Sequence, residues 1–127
     1  MSPAETVTAF IEAIERKDID AAVALTAENI SYENMPADPV VGHEVLAGML
    51  NAFLGPANEV DWQILSQFEF GTTVVNERLD RFQIGSGWLE LPIAGIFHIN
   101  DEGKISLWRD YFDMGSYQRQ FAELTAA

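Results

Sequence analysis

Arg78 and Asp80 stand two residues apart in the run TTVVNERLDRFQI, and strand alternation puts both on one face with Val74, Asn76, Phe82 and Ile84. That face is apolar at both ends and ionic in its middle. The opposite face, Val75, Glu77, Leu79, Arg81 and Gln83, has the mixed character of an outer surface. In the run KISLWRDYFDM one face holds Ser106, Trp108, Asp110 and Phe112, which sets a carboxylate between two aromatic rings. The segment NISYENMP gives Tyr32 and Asn34 the parity of Ile30, a phenol and an amide on a further apolar face. Such groups are costly to bury unless they satisfy one another.

If a strongly curved sheet brings these segments together, Tyr32, Asn34, Arg78, Asp80 and Asp110 converge. Two carboxylates about one guanidinium have a chemical logic, because burial and like-charge repulsion hold one as the acid while the arginine keeps the other ionised. The set then offers a general acid and a general base in one pocket, with Tyr32 and Asn34 holding a water beside the ionised carboxylate. Taken singly, each residue has a plainer reading. An Arg and an Asp at i and i+2 are commonly a structural ion pair, and a carboxylate between aromatics can simply accept hydrogen bonds from a loop. Trp62, Trp88 and the methionines read as packing, and His43 and His98 as structural or exposed.

The elements that must position these residues follow from periodicity. Val7, Phe10, Ile11 and Ile14 fall at helical spacing behind Ser2, Pro3 and Glu5, an N-cap, an N1 proline and a capping-box acid, which predicts a helix over roughly residues 3–16. Asp18 is placed to cap a short second helix through Ala22 and Leu25. GHEVLAGMLNAFLGP reads as a third, its stripe made by Val45, Leu46, Met49, Leu50, Phe53 and Leu54 and its end by Gly55 and Pro56. NISYENMP reads as a short strand running into a loop. From Val60 onward the period alternates through four strand-like runs, VDWQILSQFEF, TTVVNERLDRFQI, WLELPIAGIFHI and KISLWRDYFDM, broken at Gly71, GSG and NDEG. The class expected is α+β: a strongly curved mixed, mostly antiparallel sheet with helices packed on its concave side.

The 127 residues amount to one domain. Seven Lys and Arg against twenty Asp and Glu give a net charge of -13, the wrong sign for a nucleic-acid backbone or an anionic membrane surface. A hydrophobic fraction of 48% is too high for a disordered acidic chain. Cysteine is absent, which excludes disulfides, thiolate nucleophiles and Cys-based metal sites, and His43 and His98 lie far apart with no metal-ligand spacing. MSPAETVTAF lacks the basic and apolar regions of a signal peptide, and no run approaches the roughly 18 apolar residues of a spanning helix. A cytoplasmic protein without metal is expected.

In this order, YENMP at 32–36, ERLDRF at 77–82 and WRDYFD at 108–113 resemble the limonene-1,2-epoxide hydrolase family, which has a cone-shaped sheet of the NTF2-like, or SnoaL-like, kind. WRDYFD is the most specific piece, and the similarity in element order and spacing runs over nearly the whole chain. The resemblance implies that Asp110 is the base, Asp80 the acid, Arg78 the bridge between them, and Tyr32 and Asn34 the residues that position water. It implies no cofactor, a homodimer formed through the outer face of the sheet that carries Leu107, Arg109 and Tyr111, and water and a small apolar epoxide as substrates. Leu89, Leu91 and Ile93 share one parity and, with Met35, Phe82, Trp108 and Phe112, are expected to wall the substrate pocket. The N-terminal segment is shorter than the family pattern, which leaves substrate size open. Two other classes are compatible with the fold. A steroid-isomerase-like or polyketide-cyclase-like enzyme needs one base and an oxyanion donor, and a non-catalytic NTF2-like binding module needs no buried acids at all.

Overall fold

The computed structural model describes residues 1–126. Ser2 opens α1 (Pro3–Glu15): its hydroxyl accepts from the Glu5 amide at 3.1 Å while the Glu5 carboxylate accepts from the Ser2 amide at 2.8 Å, completing the capping box. Val7, Phe10, Ile11 and Ile14 form the buried stripe of this helix. The Asp18 carboxylate accepts from the Ala21 amide and caps α2 (Ile19–Ala24). In α3 (His43–Leu54) only Leu46, Leu50 and Leu54 are buried. The stripe is therefore narrower than the sequence suggests: Met49 and Phe53 are half-buried at its flank and Val45 faces outward.

The strands are β1 (Thr26–Met35), β2 (Val40–Val41), β3 (Glu59–Phe70), β4 (Thr73–Ile84), β5 (Gly87–Ile99) and β6 (Ile105–Tyr111). They form one open sheet in the order β2-β1-β6-β5-β4-β3, antiparallel throughout except for the parallel pair β1 and β6. The α+β class and the mixed sheet expected from the sequence are present. The short strand expected within NISYENMP is in fact ten residues long, because pairing with β6 reaches back to Thr26 opposite Ile105. Two residues of β2 that no sequence signal marks add an edge to β1.

Register shifts interrupt β3 between Ile64 and Ser66 and the β5–β6 ladder next to His98 and Ile99. A bulge of this kind bends a strand and sharpens its twist. The second shift corrects one inward assignment: Ile105 is buried, while Ser106 is half-exposed with its hydroxyl on the His98 carbonyl at 3.3 Å. From Trp108 onward the parity holds. Strand β6 then stops at Tyr111 rather than continuing to Met114, since Asp113 accepts from the Ser116 amide at 3.1 Å and starts α4 (Met114–Thr125). That helix was not expected. Its apolar residues Tyr117, Phe121 and Leu124 are few and none of its side chains is fully buried, which weakens the periodic signal.

The helices cover one face of the sheet. Phe10 of α1 stands edge-on to Phe97 of β5 and Trp108 of β6, at 6.4 and 5.0 Å between ring centroids. The other face leaves Leu65, Phe68, Val75 and Tyr111 exposed. Among the described residues no helix is long and apolar enough to cross a membrane.

Candidate active site

Every inward position of β4 is buried: Val74, Asn76, Arg78, Asp80, Phe82 and Ile84. Arg78 is fully enclosed, and its five N–H donors are all used. Nε and Nη2 donate to the two oxygens of Asp80, each at 3.0 Å. Nη2 also donates to Asp110 Oδ2 at 2.7 Å, and Nη1 donates to Asp110 Oδ1 at 3.2 Å and to Asn76 Oδ1 at 3.0 Å. The guanidinium thus holds two carboxylates in one plane, the fork geometry that lysine cannot provide. The Trp62 ring, 5.3 Å from the guanidinium carbon, and the Phe97 ring, 6.0 Å away, cover it.

The two acids differ in their surroundings. Asp110 Oδ1 receives a further bond from Trp108 Nε1 at 2.8 Å, so three donors converge on its carboxylate against two on Asp80. Burial pushes Asp80 up to about 6; Arg78 pulls it back, and the charges of Asp110 and Glu15 add to the rise. For Arg78 burial works against the charge, but Asp110 and Asp80 outweigh it and hold the guanidinium above the ordinary arginine range. Asp80 thus keeps its proton to a higher pH than an ordinary aspartate.

Parallel pairing with β6 sets Tyr32 beside Trp108 and Asn34 beside Asp110. The Tyr32 ring stacks on Trp108 at 4.1 Å between centroids. Burial, and then the Asp110 charge, raise the phenol well above the ordinary tyrosine range, so it stays a donor. Tyr32, Asn34, Asp80 and Asp110 form the polar part of a cavity that is partly open to solvent. Its apolar walls are Phe53, Trp62, Phe82, Leu91, Ile93, Phe112 and Tyr117. The five polar residues singled out in the sequence therefore meet at one place. Of the expected wall residues, Phe82, Leu91, Ile93 and Phe112 line the cavity. Met35, Leu89 and Trp108 do not: Leu89 is sealed in the core, Met35 is half-buried at the end of β1, and Trp108 supports Asp110 from behind.

This geometry can protonate one atom of a bound molecule and deprotonate another a short distance away. Residues 1–122 match the limonene-1,2-epoxide hydrolase catalytic domain. The chain belongs to the limonene-1,2-epoxide hydrolase family. Epoxide hydrolase EphG of Mycobacterium tuberculosis is 32% identical over 108 residues, covering 85% of this chain and 71% of that protein. The solved structure of a Mycobacterium tuberculosis LEH-like epoxide hydrolase superposes with a TM-score of 0.79 at 28% identity, over 98% of this chain and 96% of that one. A putative SnoaL-like polyketide cyclase from Shewanella putrefaciens shares the fold at a TM-score of 0.81 and 14% identity, over 95% of this chain and 86% of that one. The fold is thus common to several chemistries, and the family assignment rests on sequence.

Within the limonene-1,2-epoxide hydrolase framework, several contributors escaped the sequence reading. Parity makes Asn76 inward, but its bond to Arg78 depends on a rotamer that parity does not give. Its amide nitrogen donates to Gln67 Oε1 at 3.0 Å, and Gln67 Nε2 donates to Thr8 Oγ1 at 2.9 Å, tying the guanidinium to α1. Phe53 and Tyr117 reach the cavity from α3 and α4, the latter an element not foreseen. Gly95 of β5, over which the Arg78 guanidinium passes too closely for a Cβ, does carry a signal, since an isolated glycine inside a strand marks a close approach.

Proposed function

We propose that the chain hydrolyses an epoxide in one general acid/base step. Asp110, as carboxylate, removes a proton from a water held by Tyr32 and Asn34 while the water oxygen forms a bond to an epoxide carbon. The bond between that carbon and the ring oxygen breaks, and the proton on Asp80 passes to the departing oxygen. Attack from the face opposite the leaving oxygen gives a vicinal trans-diol on a cyclic substrate. The proton gained by Asp110 and the one lost by Asp80 balance, and exchange through water restores the starting state. Arg78 keeps its charge throughout and fixes both acids in position.

The observation that carries this reading is the unequal pair on one buried guanidinium, with the raised acid and the more strongly supported carboxylate both facing the same cavity. Acid and base assistance are each worth about 10²- to 10⁴-fold. The apolar walls suit a small apolar cyclic or aryl-substituted epoxide. Two acids bridged by a buried arginine are more than an isomerase or cyclase that shuttles one proton requires, and a binding module has no use for either, because burying them is costly. A second copy of the chain is the proposed partner for the outer face, where Phe68, Val75 and Tyr111 are exposed; sedimentation that reports a monomer removes it.

Single-turnover hydrolysis of cyclohexene oxide in ¹⁸O-labelled water, with wild type and Asp110→Asn, tests the mechanism. Label is expected only in the diol, and turnover is expected to be lost in the variant. Label in the protein means a covalent ester and overturns the one-step route, and undiminished turnover by Asp110→Asn removes Asp110 as base.

A further inference from the structure

One residue of the cavity wall, Trp62, carries a buried polar group that this chemistry leaves unused. Trp62 lies on β3 directly across from Asp80 on β4 and is 5% exposed. Its ring stands edge-on to Phe82 at 5.8 Å, tilts against Trp108 at 6.2 Å and covers Arg78, so its orientation is fixed on three sides. The indole lines the cavity, yet its Nε1–H has no acceptor among the described residues. Trp108 provides the contrast, with its own Nε1–H bonded to Asp110. An indole N–H can only donate, and a buried donor without an acceptor is disfavoured. A pocket for hydrocarbon alone would be walled as well by phenylalanine, without the orphaned group. Asp80 sits next to it in register but does not accept from it.

We propose that Trp62 reads the substrate, its Nε1–H donating to a second oxygen carried beside the epoxide, so that the preferred substrates are apolar epoxides bearing one hydroxyl, ether or carbonyl oxygen. The inference rests on the epoxide-hydrolase reading and narrows its substrate class. The reacting oxygen receives its proton from Asp80, and Trp62 serves a different atom. A site built around such a donor discriminates against an analogue that lacks the matching acceptor, because the donor is then left unpaired.

A two-by-two comparison tests it: wild type and Trp62→Phe, each with cyclohexene oxide and with both diastereomers of 2,3-epoxycyclohexanol. After correction for the uncatalysed rates, wild-type kcat/KM is expected to be at least about tenfold higher for an epoxy alcohol, the effect of one hydrogen bond. In Trp62→Phe the two substrates should fall within about twofold of each other, whatever loss common to both the changed wall brings. A preference that survives the substitution, no preference in wild type, or an equal loss on both substrates overturns the proposal. Equal loss would place the donor on the epoxide oxygen or reduce Trp62 to packing.

A second readout does not depend on turnover. The indole ¹H–¹⁵N resonance that disappears in Trp62→Phe should move downfield with cyclohexanone and stay in place with methylenecyclohexane, which has the same shape and no acceptor. No shift, or equal shifts with both ligands, overturns the assignment. If wild type hydrolyses none of the epoxides, the epoxide reading fails while the resonance still decides whether Trp62 binds an acceptor.

Discussion

Gly95 and Asp110 face each other across β5 and β6, and the side chain that Gly95 lacks leaves the space through which Arg78 reaches Asp110. Strands β4 and β6 are not neighbours; β5 separates them, so their backbones lie about 10 Å apart. The guanidinium spans this gap directly over residue 95. A Cβ there would stand 2.5 Å from Arg78 Nη1, 2.8 Å from Asp110 Oδ1 and 2.9 Å from Asn76 Oδ1.

Gly95→Ala is therefore expected to break the bridge. Although the three atoms are side-chain ends, Arg78 Nη1 donates to both oxygens while Trp108 holds Asp110 and Gln67 holds Asn76, so the buried network leaves them little room to retreat. Displacement of the acids by a fraction of an ångström should lower kcat about 10²-fold, and overpacking should cost about 1–3 kcal/mol in a urea titration. A fully active Gly95→Ala would mean that one guanidinium need not hold both acids.

How much of this was legible beforehand depends on whether a residue's position is fixed by its own strand or by another. Parity along β4 and β6 places Arg78, Asp80 and Asp110 correctly, because burial of one sheet face imposes a strict alternation. Ser106 departs from it because a bulge is set by pairing with β5, which one strand's pattern does not contain. Tyr117 was invisible for a similar reason. Asp113 looks like one more strand residue in WRDYFDM until its carboxylate is seen to cap α4. The walls of the cavity were only half readable, since parity separates inside from outside but does not tell the cavity, where Leu91 sits, from the sealed core, where Leu89 sits.

Trp108→Phe should separate support of the base from shape. The phenyl ring keeps stacking against Tyr32, whereas the 2.8 Å bond to Asp110 is lost. With one of its three donors removed, Asp110 is less firmly oriented in the cavity. The expected result is a roughly tenfold lower kcat with KM changed by less than about twofold, a loss confined to the transition state. A raised KM at unchanged kcat would instead assign Trp108 to substrate binding.

Asn76→Ala acts one bond further out. Arg78 Nη1 keeps Asp110 but loses its neutral acceptor, and Gln67 loses the link through which α1 steadies the site. An unsatisfied buried donor costs about 1–3 kcal/mol, so the urea midpoint should fall. The kinetic effect is expected in kcat, about tenfold, since Asn76 does not line the cavity and touches no substrate. Unchanged kcat at reduced stability would limit Asn76 to a structural part.

Asp80 links the chemistry to stability through its proton. Burial, reinforced by Asp110 and Glu15 and opposed by Arg78, holds it at about 6 against an ordinary value of 3.8. Between these limits the folded chain keeps a proton that the unfolded chain has released. The stability contributed by that proton is fully present below 3.8 and is lost as pH rises through about 6. A gap of about two pH units corresponds to about 3 kcal/mol. Asp80→Asn carries no such proton, so its stability relative to wild type should increase by up to about that amount from pH 4 to 7 and be level above, a difference that cancels the other carboxylates. Urea titrations of both proteins over this range give the difference directly, and a constant offset would show that Asp80 is not held protonated. The rate should follow the same group. With Asp80 as the acid, wild-type kcat/KM falls about tenfold per pH unit above about 6, while Asp80→Asn, with no proton to give the departing oxygen, is inactive throughout.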